Sequence, residues 1–81
     1  MAEFLGIHKL DPSTTEQDAV NGFNVYKEAA LKMGLKPQHA HFSIEKGFAY
    51  CLTEATSAEE VRKAHEGAVA LEDVVEIKTI T

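Results

Sequence analysis

Three of the chain's four histidines, His8, His39 and His41, fall in segments where apolar and polar residues alternate. His39 and His41 are two residues apart, so on a β-strand both imidazoles would point to the same face. They would then lie about 6–7 Å apart along the strand, a spacing that suits two ligands of one ion. Imidazole is a common ligand for borderline divalent metals and titrates near neutral pH. The pattern predicts either a metal site or surface histidines that pack on aromatic neighbours.

Alternating hydrophobicity predicts the strands that would position these histidines. A first strand over 3–9 would place His8 with Phe4 and Gly6, opposite an apolar face made by Leu5 and Ile7. A second strand over 38–44 puts both of its histidines opposite Ala40, Phe42 and Ile44. Residues 48–54 and 74–80 make two more strands, and residues 45–47 form a turn between the second and third. The length of that turn leaves the inward face of the third strand open.

Two helices are predicted between the strands. Thr14 and Gln17 have the spacing of a capping box, which opens a helix that runs to about Met33 and stops at Gly34. Ser57 and Glu60 open a second, shorter helix that continues through His65 and ends near Gly67. The first helix carries one apolar stripe at steps of three and four, formed by Ala19, Phe23, Tyr26, Ala30 and Met33.

The resulting β-α-β-β-α-β order predicts a single domain over residues 1–81 with an α+β fold, the ferredoxin-like plait. In this fold two helices cover one face of a four-stranded antiparallel sheet and leave the other face open. The open face is predicted to hold Phe4, His8, His39, His41 and Tyr50. An exposed apolar and aromatic face usually marks an interface, so we expect a homodimer that forms through the open faces of two sheets.

The composition narrows the classes of partner. The net charge is −5, from 13 acidic against 8 basic residues, and no run of Lys or Arg occurs. Nucleic-acid binding and attachment to an anionic membrane are therefore not expected. No stretch approaches the roughly 20 apolar residues of a membrane span. The first residues lack the features of a signal peptide and Cys51 is the only cysteine, so the predicted compartment is the cytoplasm.

Three segments resemble a family of small uncharacterised ferredoxin-like proteins that includes an actinobacterial nickel-binding protein. They are the opening Met-Ala-Glu-Phe, the block Tyr-Cys-Leu-Thr-Glu-Ala-Thr-Ser-Ala-Glu over 50–59, and residues 61–66. The similarity spans nearly the whole chain, and the block over 50–59 is its most specific part. The resemblance implies a plait-type homodimer that holds nickel, or another divalent metal such as zinc or copper, with histidine and oxygen ligands. It places His8, His65 and Cys51 where the nickel-binding relative has two histidines and a strand cysteine.

The predicted metal ligands are His8, His39, His41 and His65, and no catalytic residue is predicted. His65 has an alternative as a buried histidine that is hydrogen-bonded to the backbone, to Glu66 or to Glu54. Cys51 is expected to be a small core residue. If it shares a face with His65, however, a Cys–His pair forms beneath the second helix.

Three functions follow from these observations. The first is a cytoplasmic nickel-binding homodimer that buffers or senses the ion without catalysing a reaction. The second is a cofactor-independent oxygenase or isomerase of the dimeric α+β barrel type, which requires an apolar pocket beside a histidine of shifted pKa. The third is a structural or regulatory interaction module whose histidines lie in an interface and respond to pH.

Overall fold

The structure, a computed structural model, describes residues 1–68 and 70–81. The described elements are β1 (Ala2–Lys9), α1 (Glu16–Lys32), β2 (Lys36–Ser43), β3 (Phe48–Ala55), α2 (Ala58–Ala64) and β4 (Asp73–Ile77). The strands form one sheet in the order β2-β3-β1-β4, and each neighbouring pair is antiparallel. The predicted ferredoxin-like α+β fold is confirmed. Within the described part of the chain, neither helix has the length and apolar character needed to cross a bilayer.

The faces of β1 are the reverse of the prediction. Phe4, Gly6 and His8 are buried toward the helices, whereas Leu5 and Ile7 lie on the open face and are only half-buried. His8 therefore does not share a face with the two histidines of β2, and that part of the prediction is wrong. Both sides of this central strand carry apolar residues, so alternation alone could not say which side the helices cover.

The helix caps lie close to their predicted positions. The side chain of Thr15, not Thr14, caps α1 and forms a reciprocal capping box with Asp18. Lys32 is the last residue of α1, and Gly34 follows with a φ of 81°, a backbone conformation that glycine adopts without strain. Ser57 caps α2 by accepting a hydrogen bond from the backbone N–H of Glu60, as predicted. The Glu60 carboxylate reaches the backbone N–H of Thr56 instead of that of Ser57.

The strand ends differ more from the prediction. β2 begins at Lys36 and has a register irregularity between Pro37 and His39, then ends at Ser43. Ile44 belongs to the turn, which the Gly47 N–H closes on the Ser43 carbonyl at 2.8 Å. β4 ends at Ile77, three residues before the predicted end of the strand.

A small core lies between the helices and the sheet. Tyr26 and Ala30 of α1 and Val61 and Ala64 of α2 pack against the buried side of the sheet. Tyr26 is the largest fully buried side chain, and its hydroxyl is hydrogen-bonded to that of Thr53 on β3. Because Thr53 and Cys51 are two residues apart, they face the helices together. This face of β3, which the sequence left open, positions the site described next.

Candidate metal centre

Three buried side chains from three elements meet beneath α2. His8 comes from β1, Cys51 from β3, and His65 is the residue that caps the C-terminal end of α2. The Cys51 Sγ lies 3.3 Å from Nε2 of His8 and 3.2 Å from Nε2 of His65. One potential ligand atom from each residue lies within 4.8 Å of the other two. We call this group the His8–Cys51–His65 cluster.

Both imidazoles are held in one orientation by backbone carbonyls. The Nδ1 of His8 lies 2.8 Å from the carbonyl oxygen of Ala70, and the Nδ1 of His65 lies 2.8 Å from that of Val61. A carbonyl oxygen only accepts a hydrogen bond, so each Nδ1 carries the proton and donates it. In a neutral imidazole the lone pair is then on Nε2, and both Nε2 atoms point at the sulfur of Cys51.

Burial favours the uncharged form of every member of the cluster. Desolvation lowers the pKa of His65 to about 4 and also lowers the pKa of His8, against the opposing effect of the carbonyl contacts. Desolvation raises the pKa of the Cys51 thiol to about 11. At neutral pH the metal-free cluster thus holds two neutral imidazoles and a neutral thiol, not a thiolate paired with an imidazolium. This state is unsuited to a cysteine nucleophile.

The surrounding residues fix the three side chains. The ring of Tyr26 stacks on that of His65 with a centroid separation of 3.8 Å and an interplanar angle of 17°. Gly6 lies opposite Cys51 on the neighbouring strand. A Cβ at position 6 would come within 2.8 Å of the Cys51 sulfur and 3.3 Å of His65 Cε1. A side chain there would displace the sulfur, so glycine at this position makes room for the cluster.

The donor set fits a divalent transition metal. Bonds of about 2.3 Å to sulfur and 2.0–2.1 Å to nitrogen give sulfur–nitrogen separations of roughly 3.1–3.6 Å for bond angles between 90° and tetrahedral. The two separations of 3.2 and 3.3 Å fall within this range. Imidazole nitrogen and thiolate sulfur suit nickel, copper and zinc better than magnesium or calcium. The carbonyl acceptors on Nδ1 are the outer contacts that orient histidine ligands in metalloproteins.

A cavity of about 570 Å³ opens from the cluster toward solvent between α1 and the sheet. His8, Cys51 and His65 lie at its inner end, and Phe23, Ala40 and Phe42 belong to its walls. Three protein ligands with free space beside them are typical of a site that can accept a further ligand.

The structure separates the four histidines that were predicted to be metal ligands. His8 and His65 are in the buried cluster, with ring centroids 5.1 Å apart. His39 and His41 are exposed on the open side of the sheet, opposite Leu52 and Tyr50 of β3, with ring centroids 4.9 Å apart. The sheet therefore lies between the two pairs. The predicted grouping of His8 with His39 and His41 on one face does not match this arrangement.

Cys51 is the member of the cluster that the predicted ligand set lacked. The sequence allowed a Cys–His pair only if Cys51 faced α2, which depended on the parity of the β2–β3 turn. The described turn is four residues long, from Ile44 to Gly47, and directs Cys51 inward. The hydrogen bond of His65 goes to the backbone of Val61, which confirms the backbone alternative for its Nδ1. Gly6, a glycine in the middle of a strand, is the sequence feature that could have indicated that other side chains pack closely against β1 at this point.

Comparison with solved structures supports the fold. SCO4226 from Streptomyces coelicolor A3(2) superposes with a TM-score of 0.85 at 22% sequence identity, covering 99% of this chain and 100% of that one. The P2 domain of the chemotaxis kinase CheA from Thermotoga maritima, solved in complex with the response regulator CheY, gives a TM-score of 0.58 at 13% identity. That alignment covers 94% of this chain and 98% of the P2 domain. No family model and no curated protein matches the sequence.

Proposed function

We propose that this chain binds one divalent transition metal ion per protomer at the His8–Cys51–His65 cluster and serves as a metal buffer or sensor. The observation that carries the proposal is the convergence of three buried ligand atoms, two imidazole nitrogens and one sulfur, within 4.8 Å of one another. Nickel is the ion that the family resemblance implies, and zinc and copper suit the same donor atoms. A reducing compartment such as the cytoplasm would keep Cys51 in the reduced state that metal binding requires.

The chain's own residues account for how such an ion would be held. Loading requires the Cys51 thiol to lose its proton, since the thiolate is the form that binds metals. The bound cation would supply the positive charge that stabilises this thiolate in a buried place. The Val61 and Ala70 carbonyls would keep both Nε2 atoms aimed inward throughout, because each holds the proton of an Nδ1.

The test compares the buried cluster with the exposed pair. Purified, untagged protein is titrated with nickel, zinc and copper and followed by native mass spectrometry and equilibrium dialysis. Wild type should bind one ion per protomer, and the nickel form should show thiolate-to-nickel charge-transfer absorption. The C51S variant should lose the absorption and bind the preferred ion at least about 100-fold more weakly, because a neutral hydroxyl replaces a thiolate.

The matched control is the double variant His39→Ala and His41→Ala. It removes two imidazoles from the exposed side of the sheet and should leave the stoichiometry, affinity and absorption unchanged. Loss of binding in this variant, or unchanged binding in C51S, would move the site to the open face. Failure of wild type to bind any of the three ions would overturn the proposal.

We also propose that the protein is a homodimer that forms through the open face of the sheet. Three of the four strands, β1, β3 and β4, carry half-buried apolar side chains on this face, in register across the sheet: Leu5, Ile7, Tyr50, Leu52 and Val75. Phe48 adds a ring 4.9 Å from that of Tyr50. Two such faces would cover one another and remove this apolar area from water.

The dimer is tested by sedimentation velocity of paired lysine variants. L52K puts a charge at the centre of the open face and should give a monomer at concentrations where wild type is a dimer. L31K changes an exposed leucine of α1 and should remain a dimer. A monomeric wild type, or equal effects of the two variants, would contradict the proposed interface.

The alternative functions make different demands on the same residues. The apolar cavity beside two histidines provides the space that an oxygenase or isomerase would need. A base whose conjugate acid has a pKa of about 4, as for His65, is poorly matched to proton abstraction at neutral pH.

A pH-responsive interaction module would use the exposed His39 and His41. Its dimer would respond to pH and not to a chelator, which separates it from the metal proposal.

A further inference from the structure

We infer that the cavity between α1 and the sheet binds a neutral aromatic molecule with a single hydroxyl group, a phenol, whose hydroxyl lies at the His8–Cys51–His65 cluster. The inference concerns the metal-free protein and does not rest on the metal proposal. It goes beyond metal binding because it assigns an organic ligand to space that the three side chains leave open.

The cavity exists because small side chains line it. Ala19 of α1 faces it from one side, and Ala40 of β2 and Ala49 of β3 contribute to the sheet side. Larger side chains at these positions would fill the space between helix and sheet. At about 570 Å³ the cavity is in the size range of small-molecule sites, roughly 300–1,000 Å³.

Aromatic side chains form much of the remaining wall. Phe23 and Phe42 lie on opposite sides of the cavity, and Tyr26 lines it beside the stacked His65 ring. Aromatic rings pack well in offset or edge-on arrangements against such walls, with a gain of about 0.5–1.5 kcal/mol per pair beyond area burial. These walls favour a ring over a flexible chain.

The inner end of the cavity has fewer hydrogen-bond donors than acceptors. Each Nδ1 proton is used by a backbone carbonyl, so both Nε2 atoms act as acceptors in the neutral imidazoles. The thiol of Cys51 has one proton and can serve only one of them. A ligand hydroxyl would supply the second donor. A neutral O–H group is also a stronger hydrogen-bond donor than the S–H group of Cys51.

The charges at the mouth select against an anion. Two exposed acidic residues, Asp11 and Asp18, line the cavity, and Lys9 is 3.4 Å from the carboxylate of Glu72, which offsets its charge. A carboxylate ligand would therefore meet acidic groups on entry and no cation at the inner end. The ligand class that fits is neutral, aromatic and hydroxylated.

The test uses the chelator-treated, full-length, isotope-labelled protein in NMR titrations with three probes of similar shape. They are 4-ethylphenol, ethylbenzene and 4-ethylbenzoate. We expect 4-ethylphenol to shift amide signals of the cavity residues and to bind about fivefold to tenfold more tightly than ethylbenzene, the effect of one hydrogen bond. The benzoate should bind most weakly. Equal binding of 4-ethylphenol and either other probe, or no shift with any probe, would overturn the inference.

Two substitutions on α1 locate the bound molecule. A19F fills the cavity and should weaken 4-ethylphenol binding at least about tenfold, whereas A29F changes an alanine of the same helix outside the cavity wall and should not. If A19F fails to fold, intermolecular NOEs between the probe's ethyl group and the side chains of Phe42 and Ala40 in wild type decide the question. NOEs to open-face residues such as Leu52 instead would place the ligand elsewhere and contradict the inference.

Discussion

The two histidine pairs lie on opposite sides of one sheet and differ in burial, in hydrogen bonding and in their neighbours. His8 and His65 are each 5% exposed, have Nδ1 held by a carbonyl, and converge on one sulfur. His39 and His41 are exposed, and their nearest aromatic partners are each other. Spacing in the sequence made the second pair look like the better ligand set. Burial and a fixed tautomer, more than spacing along the sequence, therefore prepare a histidine side chain to bind a metal ion.

The largest expected difference between the pairs is in the pH dependence of stability. The pKa of His65 falls from its ordinary value of 6.5 to about 4 on folding. Between these two pH values the unfolded chain therefore binds a proton at His65 that the folded chain does not bind. The free energy of unfolding of the metal-free protein should therefore fall as the pH drops from about 6.5 to 4, by roughly 3 kcal/mol from this residue. His8, whose pKa is also lowered, adds to the loss in the same direction.

Urea denaturation at half-unit steps of pH, with a chelator present, measures this dependence. The groups that face His65 are His8 and Cys51 from the sheet and Tyr26 from α1. H65F keeps a ring for Tyr26 to stack on but removes the titrating imidazole. It should therefore reduce the dependence of the free energy of unfolding on pH, whatever its effect on absolute stability. The double variant His39→Ala and His41→Ala should keep the wild-type slope, because neither side chain contacts the buried cluster. A flat wild-type profile between pH 6.5 and 4.5 would refute the comparison.

An intermediate effect is expected from Gly6, where an added Cβ would meet Cys51 most closely, and then His65 and Leu71. In G6A the new Cβ would approach the Cys51 sulfur to 2.8 Å, so the protein should lose about 1–3 kcal/mol of stability through overpacking. In a C51A background the same substitution should lower the free energy of unfolding by at least about 1 kcal/mol less, because the Cys51 sulfur that the new Cβ would contact is absent. A double-mutant cycle by chemical denaturation measures the coupling. Equal costs in both backgrounds would show that Gly6 has another role.

The smallest expected difference concerns the two tyrosines. Y26F removes the hydroxyl that is hydrogen-bonded to Thr53, a fully buried residue, and should cost about 1–2 kcal/mol. Y50F changes a half-buried ring on the open face and should shift the free energy of unfolding of the monomeric L52K protein by less than about 0.5 kcal/mol. Thermal and urea unfolding of both variants in that L52K background make the comparison. Similar losses would mean that the buried hydrogen bond contributes little.

The sequence by itself determined the order of elements and the fold, and it located the helix ends to within a few residues. Period-2 and period-3.6 hydrophobicity, the Ser57 cap and Gly34 are local signals, and the forces behind them act within a few residues. The strand ends were less well predicted, because Ile44 and Ile80 continue an apolar pattern while the hydrogen-bonded ladder stops at Ser43 and Ile77.

Only the tertiary structure decided which residues share a face and hence which histidines act together. β1 has apolar residues on both sides, and the side that the helices cover depends on how they dock and not on the strand's own pattern. The inward orientation of Cys51 depended on one residue more or less in the turn before β3. Because side chains alternate with a period of two residues, each of these two choices has only two outcomes. Together they decided that His8 and Cys51 lie in one cluster.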